Sequence, residues 1–165
     1  MIDNKIKKLV KLKNIISRLK TQGKAIVFTN GCFDLLHYGH VKYLQEAKRK
    51  GDILIVAINS DASVRKIKGN KRPITHEKDR LSLIAALESV DYVFLFNEET
   101  PLRVIKELKP DILVKGADWK KPDIVGCDFV LSYGGKVSTL ELVKGYSTTN
   151  LIKKIVKPFQ EKQGQ

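Results

Sequence analysis

The chain has 165 residues, of which 42% are hydrophobic and 30% are charged, as is ordinary for a soluble globular domain. No apolar stretch approaches the roughly 20 residues that a membrane-spanning helix needs, and lysines interrupt the apolar residues of the N-terminus, so neither a membrane partner nor a signal peptide is predicted. The two cysteines, Cys32 and Cys127, form no CxxC or metal-ligand pattern. A reduced, cytoplasmic setting is therefore expected.

The net charge of +13 is also typical of nucleic-acid-binding modules. Basic residues concentrate in the segments 5–24, 65–72 and 153–162. No aromatic residues interleave with them, and no RRM, KH or zinc-finger pattern is present. Solvated helix faces are the simpler interpretation, so no specific nucleic-acid partner is expected. A basic nucleic-acid-binding module stays as the alternative from a different class.

The first half of the chain predicts a helix followed by strands and helices in turn. The segment 1–23 carries an apolar stripe at helical spacing and is predicted to be an amphipathic helix that ends near Gly23. Packing against the domain or a partner subunit explains this stripe more simply than contact with a membrane surface. Strand one is predicted over 25–29, and its helix over 39–50. The apolar run 53–58 is typical of a buried parallel strand, and a basic loop is expected after it.

The second half continues the alternation. It predicts a helix over 77–89, a strand over 91–96, a helix that Pro101 opens, a strand over 112–114, one or two short strands within 129–140, and a helix over 147–157. This order predicts an α/β fold, a Rossmann-like parallel sheet flanked by helices, with ligands at the carboxyl ends of the strands. The whole chain, 1–165, is expected to be one domain with a catalytic core at 24–157 and a polar tail at 158–165.

The most informative motif is the run Asn30-Gly31-Cys32-Phe33-Asp34-Leu35-Leu36-His37-Tyr38-Gly39-His40. It lies between the first strand and its helix. Histidines three residues apart across the first helical turn point the same way, and the glycine between them lets an anion approach the backbone closely. A helix N-terminus adds unpaired N–H groups and a positive dipole potential. The run therefore predicts a phosphate site at His37 and His40.

Two later motifs fit the same site. Lys115-Gly116-Ala117-Asp118-Trp119 follows the fourth strand, so its lysine can hold a phosphate and its aspartate can accept ribose or sugar hydroxyls. The alternative is a plain turn with solvated charges. Ser147-Thr148-Thr149 precedes the last helix, where hydroxyl and N–H groups form an anion cradle, or alternatively an ordinary N-cap.

The basic segment after the second strand is predicted to bind the phosphate of a second substrate, or else to be a solvated charge run. Arg80 on the next helix has either a phosphate-binding or a structural ion-pair role. His76 is interpreted as a helix-entry residue. Buried packing is preferred to a nucleophilic role for the Cys32 thiol.

The string G-x-F-D-x-x-H-x-G-H resembles the signature of the HxGH nucleotidyltransferase superfamily. The runs 28–37, 57–63, 113–116 and 147–155, with Lys68-Gly69 and Arg72-Pro73, resemble the adenylyltransferase domain of the ADP-heptose pathway. The similarity covers roughly 10–157, so a stand-alone form without the often fused sugar kinase is expected. In the superfamily a basic residue follows the serine–threonine motif. Here it falls one place late, at Lys153, and Tyr146 replaces the usual isoleucine.

The resemblance implies that ATP and D-glycero-β-D-manno-heptose 1-phosphate react to ADP-heptose and pyrophosphate. His37 and His40 are expected to stabilise the transition state. The nucleotide is expected to contact Asn30, Gly31, Cys32, Phe33, Gly39, Lys115, Gly116, Asp118, Ser147, Thr148 and Thr149. The acceptor is expected to contact Asp34, Lys66, Lys68, Arg72 and Arg80.

Mg²⁺ is expected to be held mainly by the nucleotide phosphates, without metal-ligating side chains, and a homodimer is expected. The attacking phosphate monoester is already a dianion near neutral pH, so no strong general base is needed. Two other enzymes share these motifs: a cytidylyltransferase acting on glycerol 3-phosphate or a similar acceptor, and an FAD-synthetase-like adenylyltransferase.

Overall fold

The structure of the chain is a computed structural model that describes residues 2–160. The end of the predicted polar tail, 161–165, lies outside the described residues. A short 3-10 turn at Ile2–Asn4 precedes the regular elements. The helices are α1 (Leu9–Thr21), α2 (Tyr38–Lys48), α3 (Asp61–Lys68), α4 (Glu77–Ala85), α5 (Leu102–Leu108), α6 (Cys127–Ser132) and α7 (Thr148–Gln160). The strands are β1 (Ile26–Gly31), β2 (Ile53–Asn59), β3 (Tyr92–Phe96), β4 (Ile112–Gly116) and β5 (Lys136–Leu140).

The five strands form one parallel sheet in the order β3-β2-β1-β4-β5. The chain builds outward from β1 to β3, then crosses to the other side of β1 to add β4 and β5. Strand order reverses between β1 and β4, and in open α/β sheets ligands bind outside the carboxyl ends of the strands at such a reversal. The predicted fold class is confirmed.

Helices cover both faces of the sheet, so the strands are apolar on both sides. Successive side chains of a strand point to opposite faces. Phe28 and Ile55 accordingly join a core with α1, α5 and α6 on one face. Val27 and Leu54 join a second core with α2 and α4 on the other face. This two-sided burial explains the uninterrupted apolar run of β2.

The N-terminal segment differs from the single helix predicted for 1–23. The backbone around Ile6 pairs with the sheet edge: the Lys7 N–H donates to Val93 O at 3.0 Å, and the Val93 N–H donates to Lys5 O at 2.9 Å. This pairing delays the start of α1 to Leu9. Leu12 and Ile16 are buried in the core, so α1 packs against the domain. Across residues 2–160, every helix is too short or too polar to cross a bilayer.

Two other segments were predicted wrongly. The segment after β2 is the helix α3, which Ser60 caps by accepting a hydrogen bond from the Ser63 N–H at 3.2 Å. This N-cap signal was present in the sequence but was outweighed by the basic run behind it. The first part of 129–140 belongs to α6, because Cys127 and Val130, three residues apart, both face the core. Only 136–140 is a strand.

We expect Leu12→Ala to lower the free energy of unfolding by about 3 kcal/mol, because it leaves a cavity where a fully buried leucine packs between α1 and the sheet. The matched control is Val10→Ala in the same helix, where the valine is 75% exposed and a change within about 0.5 kcal/mol is expected. Chemical denaturation measures both. Equal, small effects would show that α1 is not part of the cooperative core.

Candidate active site

A cavity of about 560 Å³ opens at the carboxyl ends of β1 and β4. It collects three of the motifs that the sequence singled out. Sixteen of the predicted site residues line it, and they are Asn30, Gly31, Cys32, Phe33, Asp34, His37, Gly39, His40, Lys68, Arg72, Lys115, Gly116, Asp118, Ser147, Thr148 and Thr149. The sheet reversal thus brings together segments more than a hundred residues apart in sequence.

The loop from β1 to α2 has an unusual backbone. Phe33 and Leu35 have φ angles of 48° and 50°, in the left-handed region that costs a non-glycine residue free energy. Between them, the buried Asp34 carboxylate accepts hydrogen bonds from Arg72 Nε at 2.6 Å and from the N–H groups of Ile74 and Thr75 at 2.9 Å. These bonds fix the strained loop in one conformation.

The same contacts lower the pKa of Asp34. Burial by itself would raise it, but the two N–H groups and the Arg72 guanidinium hold the pKa below its usual value. Asp34 is therefore a carboxylate at neutral pH with its oxygens occupied by protein donors. It organises the cavity wall, and this contrasts with the direct acceptor contact that was predicted for it.

His37 and His40 lie at the start of α2 with their rings stacked, centroid to centroid at 3.7 Å and 17° from parallel. His37 is the N-cap residue of the helix. The Nδ1 atoms of both rings are buried and have no hydrogen-bond partner among residues 2–160. Because unpaired buried polar atoms cost free energy, rings held in this way favour a ligand-binding role over a structural one.

Both imidazoles are neutral near neutral pH. Burial lowers the pKa of His40 to about 4, with a smaller contribution from the charge that His37 would carry. Burial also lowers the pKa of His37. A bound phosphate would oppose both shifts, since an opposite charge nearby favours the protonated ring.

Lys115 reaches from the end of β4 to β1, where its Nζ donates to Asn30 Oδ1 at 2.5 Å. Burial lowers the pKa of Lys115 to about 8, against the opposing attraction of Asp118. A Cβ on Gly116 would lie 2.4 Å from the Asp118 carboxylate, so a larger residue there would displace the Asp118 side chain from its position. Lysine and aspartate therefore face one cavity, as the sequence predicted, with the aspartate exposed.

The start of α7 closes the cavity opposite α2. The Ser147 hydroxyl accepts from the Asn150 N–H at 3.1 Å, as an N-cap does, and the Thr148 hydroxyl donates to Asp34 O at 2.7 Å. The capping interpretation therefore holds for Ser147. The backbone N–H groups of the first turn of α7 lie at the end of the helix that borders the cavity. Tyr146 lies so close to α2 that a Cβ on Gly39 would be 3.0 Å from the Tyr146 Cβ. A larger residue at position 39 would therefore press against Tyr146 and against the His37 ring, which lies 3.1 Å from the same point.

The basic residues after β2 separate into two groups. Lys68 and Arg72 line the cavity. Lys66 is exposed on α3 and does not line it. Arg80 does not line it either: its fully buried guanidinium donates to Asp61 Oδ1 at 2.8 Å, to Thr75 O at 3.0 Å and to Cys32 O. Of the two roles left open for Arg80, the structure favours the structural ion pair, because the side chain is fully buried outside the cavity lining and each of its three nitrogens donates to a protein oxygen.

Two further interpretations can be compared with the structure. His76 is exposed at the start of α4 and lies 3.3 Å from Asp61, in keeping with a helix-entry residue. Cys32 is partly buried, and burial raises the pKa of its thiol, which disfavours the nucleophilic thiolate.

Sequence reasoning did not assign several residues that line the cavity. They share no local motif, since they come from α2, the end of β2, α3, the loop after β3, the loop between β4 and α6, and the loop between β5 and α7. They are Tyr43, Asn59, Ile67, Glu99, Thr100, Pro101, Ile124, Val125, Leu142, Val143 and Tyr146, together with Trp119 at the end of the Lys115 motif. The available signal was position: Asn59 ends β2, and Glu99 and Thr100 follow β3.

Within residues 2–160, no three His, Cys, Asp or Glu side chains form a group that could hold a metal ion. Asp34 and Asp61 already accept hydrogen bonds from arginines. The described residues therefore do not build a protein cage for Mg²⁺.

Fold and cavity together are those of a nucleotidyltransferase. A model of the cytidylyltransferase-like family matches residues 28–154, and the chain belongs to that family. The match spans β1 through most of α7, and so includes every motif that lines the cavity.

Curated relatives agree with this membership. The chain is 56% identical over 159 residues to the bifunctional protein HldE of Geobacter metallireducens, and 52% identical over 149 residues to that of Campylobacter fetus. These alignments cover 96% and 90% of this chain but 32% and 31% of the relatives. The chain thus spans about a third of the length of the curated relatives it matches.

Solved structures place the fold in the same way. The lipopolysaccharide core biosynthesis protein of Thermoplasma volcanium is 35% identical with a TM-score of 0.61, covering 76% of this chain and all of the other. The pantoate-beta-alanine ligase of Francisella tularensis, solved with beta-gamma ATP and beta-alanine, has a TM-score of 0.60 at 16% identity. It covers 92% of this chain and 78% of the other, and at that identity it shares the fold alone.

We expect Arg80→Met to lower the free energy of unfolding by about 3–5 kcal/mol, because it leaves Asp61 and two carbonyl groups without their buried donor. Arg65→Met is the matched control: Arg65 is exposed on α3, and its change should stay within about 0.5 kcal/mol. Urea titration of both variants measures the difference. A stable Arg80→Met protein would contradict the structural assignment.

Proposed function

We propose that the chain is an adenylyltransferase that joins ATP to D-glycero-β-D-manno-heptose 1-phosphate, giving ADP-heptose and pyrophosphate. The observation that carries the proposal is the stacked His37–His40 pair at a helix start, inside the cavity where strand order reverses. Resemblance of the sequence to the heptose adenylyltransferase domain supports the choice of nucleotide and acceptor. So do the relatives named HldE and the relative named for lipopolysaccharide core biosynthesis.

On the nucleotide side, neutral imidazole N–H groups and the α2 N-terminus meet the negative charge that grows on the phosphates during transfer. The first turn of α7 supplies further N–H groups for the far end of the triphosphate. Lys115, held by Asn30, adds a positive charge when protonated. These groups are fixed before substrate binds, so they need little reorganisation during the reaction.

On the acceptor side, Lys68 and Arg72 face the same cavity from beyond β2. Arg72 is held through its Nε by Asp34, which leaves the terminal guanidinium nitrogens for a phosphate. The acceptor phosphate oxygen attacks the α-phosphorus in line, the bond to pyrophosphate breaks, and no covalent enzyme intermediate forms. Asn59, Glu99 and Thr100 supply polar groups of the kind that bind sugar hydroxyls.

Three further statements belong to the proposal. Mg²⁺ binds mainly through the nucleotide phosphates and offsets their charge, since this ion keeps several waters and needs few protein ligands. The protein acts in the cytoplasm. It functions as a homodimer.

A cytidylyltransferase for glycerol 3-phosphate is the competing proposal within the same family, favoured by the family's description alone. Loss of nucleotide turnover combined with steeply salt-dependent DNA binding would instead favour the nucleic-acid-binding module.

The deciding experiment measures pyrophosphate release with each of the four nucleoside triphosphates against a panel of sugar 1-phosphates and glycerol 3-phosphate. ATP with heptose 1-phosphate should be used far better than any other pair. CTP preference would overturn the adenylyltransferase assignment and leave the family intact.

His40→Ala should lower kcat by roughly 10²–10³-fold, the scale for losing one transition-state donor, with the fold intact by circular dichroism. His76→Ala is the control, since His76 is 87% exposed at another helix start and should leave kcat unchanged. Near-normal turnover by folded His40→Ala would contradict the phosphate-site role.

Lys68→Ala should raise the KM for heptose 1-phosphate by roughly 10- to 100-fold, as expected for one charge-assisted hydrogen bond, and leave the KM for ATP nearly unchanged. Arg65→Ala removes an exposed charge from the same helix and controls for general steering. Steady-state kinetics with each substrate varied in turn separates the two constants. An equal rise in the KM for ATP and in the KM for heptose 1-phosphate would favour the interpretation of the basic residues of α3 as solvated charges.

A further inference from the structure

The two central strands separate before they reach the cavity. β1 and β4 pair at only two positions, Val27 with Ile112 and Phe28 with Leu113, although both strands continue beyond them. On their other sides, β1 pairs with β2 from Ile26 to Gly31, and β4 pairs with β5 from Ile112 to Gly116. The floor of the cavity is therefore a gap in the sheet between β1 and β4. Backbone hydrogen bonds between these two strands do not determine the width of this gap.

The hydroxyl of Tyr43 lies in this gap. Tyr43 is on α2, and its Oη donates to Val114 O at 3.2 Å and lies 2.7 Å from Thr29 Oγ1. A phenol has one proton and the carbonyl can only accept, so the Thr29 hydroxyl donates to Tyr43. Thr29 and Val114 are the first residues past the last backbone pair. One side chain thus ties β1 to β4 where their ladder ends.

A second polar tie follows one residue further along each strand. It is the hydrogen bond from Lys115 Nζ to Asn30 Oδ1, at 2.5 Å. Both side chains line the cavity, as does Tyr43 itself. Because Asn30 and Lys115 directly follow the two residues that Tyr43 joins, a change in the separation of Thr29 and Val114 moves the second tie as well.

The two hydrogen bonds of the Tyr43 hydroxyl lie in a buried environment that keeps them in place. Thr29 and Val114 are fully buried, and burial raises the pKa of Tyr43, so its proton stays in place across the physiological range. Removing the Tyr43 hydroxyl would take away the partner of the buried Thr29 hydroxyl and of the buried Val114 carbonyl, which costs free energy. Water that enters the gap would bond to these groups and lower that cost. Water in the gap would spread the strands and rehydrate Lys115.

We propose that Tyr43 is a positioning residue: its hydroxyl sets the separation of β1 and β4 and so holds Asn30 and Lys115 where the nucleotide binds. The proposal rests on the proposed function for the identity of that ligand. Its structural part, control of Lys115 by a hydroxyl on α2, is testable without turnover.

The test compares Tyr43→Phe with Tyr133→Phe. The Tyr133 hydroxyl donates to Pro110 O at 2.7 Å, just before β4, so this control loses the same kind of hydrogen bond at the opposite end of the strand. In Tyr43→Phe, kcat/KM for ATP should fall roughly 10- to 100-fold, the scale for slight misplacement of bound substrate, while the KM for the sugar phosphate stays unchanged. Tyr133→Phe should leave both at the wild-type value.

The second measurement is the titration of Lys115, followed by NMR of lysine labelled at Cε. In Tyr43→Phe the pKa of Lys115 should rise from about 8 toward its ordinary value as water enters, and it should stay near 8 in Tyr133→Phe. The titratable groups that act on the Lys115 amine are Asp118 and Cys32, and both are unchanged in either variant.

An unchanged Lys115 titration in folded Tyr43→Phe would overturn the proposal, as would equal losses of kcat/KM in the two variants. If Tyr43→Phe does not fold, Thr29→Val removes one half of the tie at constant shape and carries the same expectations. If the wild-type protein releases no pyrophosphate, the proposed function is wrong. The Lys115 titration would still test whether Tyr43 controls the position of Lys115.

Discussion

The reversal of strand order between β1 and β4 is the constraint on which the site depends. Every strand is parallel, so all carboxyl ends meet at one edge of the sheet. Connections leave β1 and β4 in opposite directions, and no crossover helix covers the point where they part. Backbone pairing between the two strands stops after Leu113. The cavity is the space that this geometry leaves open.

A set of buried polar groups keeps that space in one shape. Asp34 ties the β1–α2 loop to Arg72 and to the backbone before α4, and its own carbonyl anchors Thr148 at the start of α7. Arg80 joins the same loop to Asp61 at the start of α3. Such networks contribute little net stability compared with apolar packing, but losing one member is costly. The polar groups therefore specify the positions of the helix starts more than they stabilise the fold.

The cavity carries less positive charge than the composition suggests. Burial lowers the pKa of both histidines, so that their rings are neutral near neutral pH, and it lowers the pKa of Lys115 to about 8. Arg72 is paired with Asp34. Phosphates in the cavity would raise the pKa of the two histidines and of Lys115 and so favour their protonated forms. Positive charge in the cavity thus increases when a ligand brings negative charge.

The sequence determined the features that depend on neighbours along the chain. Periodicity and apolar runs located β1 to β4 and the helices between them except α3. The spacing of His37, Gly39 and His40 predicted the common orientation of the two histidines at a helix start. Lys115 and Asp118 could be placed at the cavity because a parallel strand delivers its following loop to a known edge. The reaction was inferred from the resemblance of the sequence to a known family. The hydrophobic periodicity of the chain carries no information about it.

Only the tertiary structure decided which charged residues face the cavity and which hold it together. Lys66, Lys68 and Arg80 are all basic residues of one short region, yet one is exposed, one lines the cavity and one is buried in an ion pair. Asp34 reads as a ligand-binding residue in its motif and serves the loop instead. Tyr43 reads as one more apolar position of an amphipathic helix. Tyr43 meets its two partners, Asp34 meets Arg72 and Arg80 meets Asp61 across separations of 14 to 71 residues along the chain. A side chain's role here depends on which distant groups meet it, and local sequence does not encode that meeting.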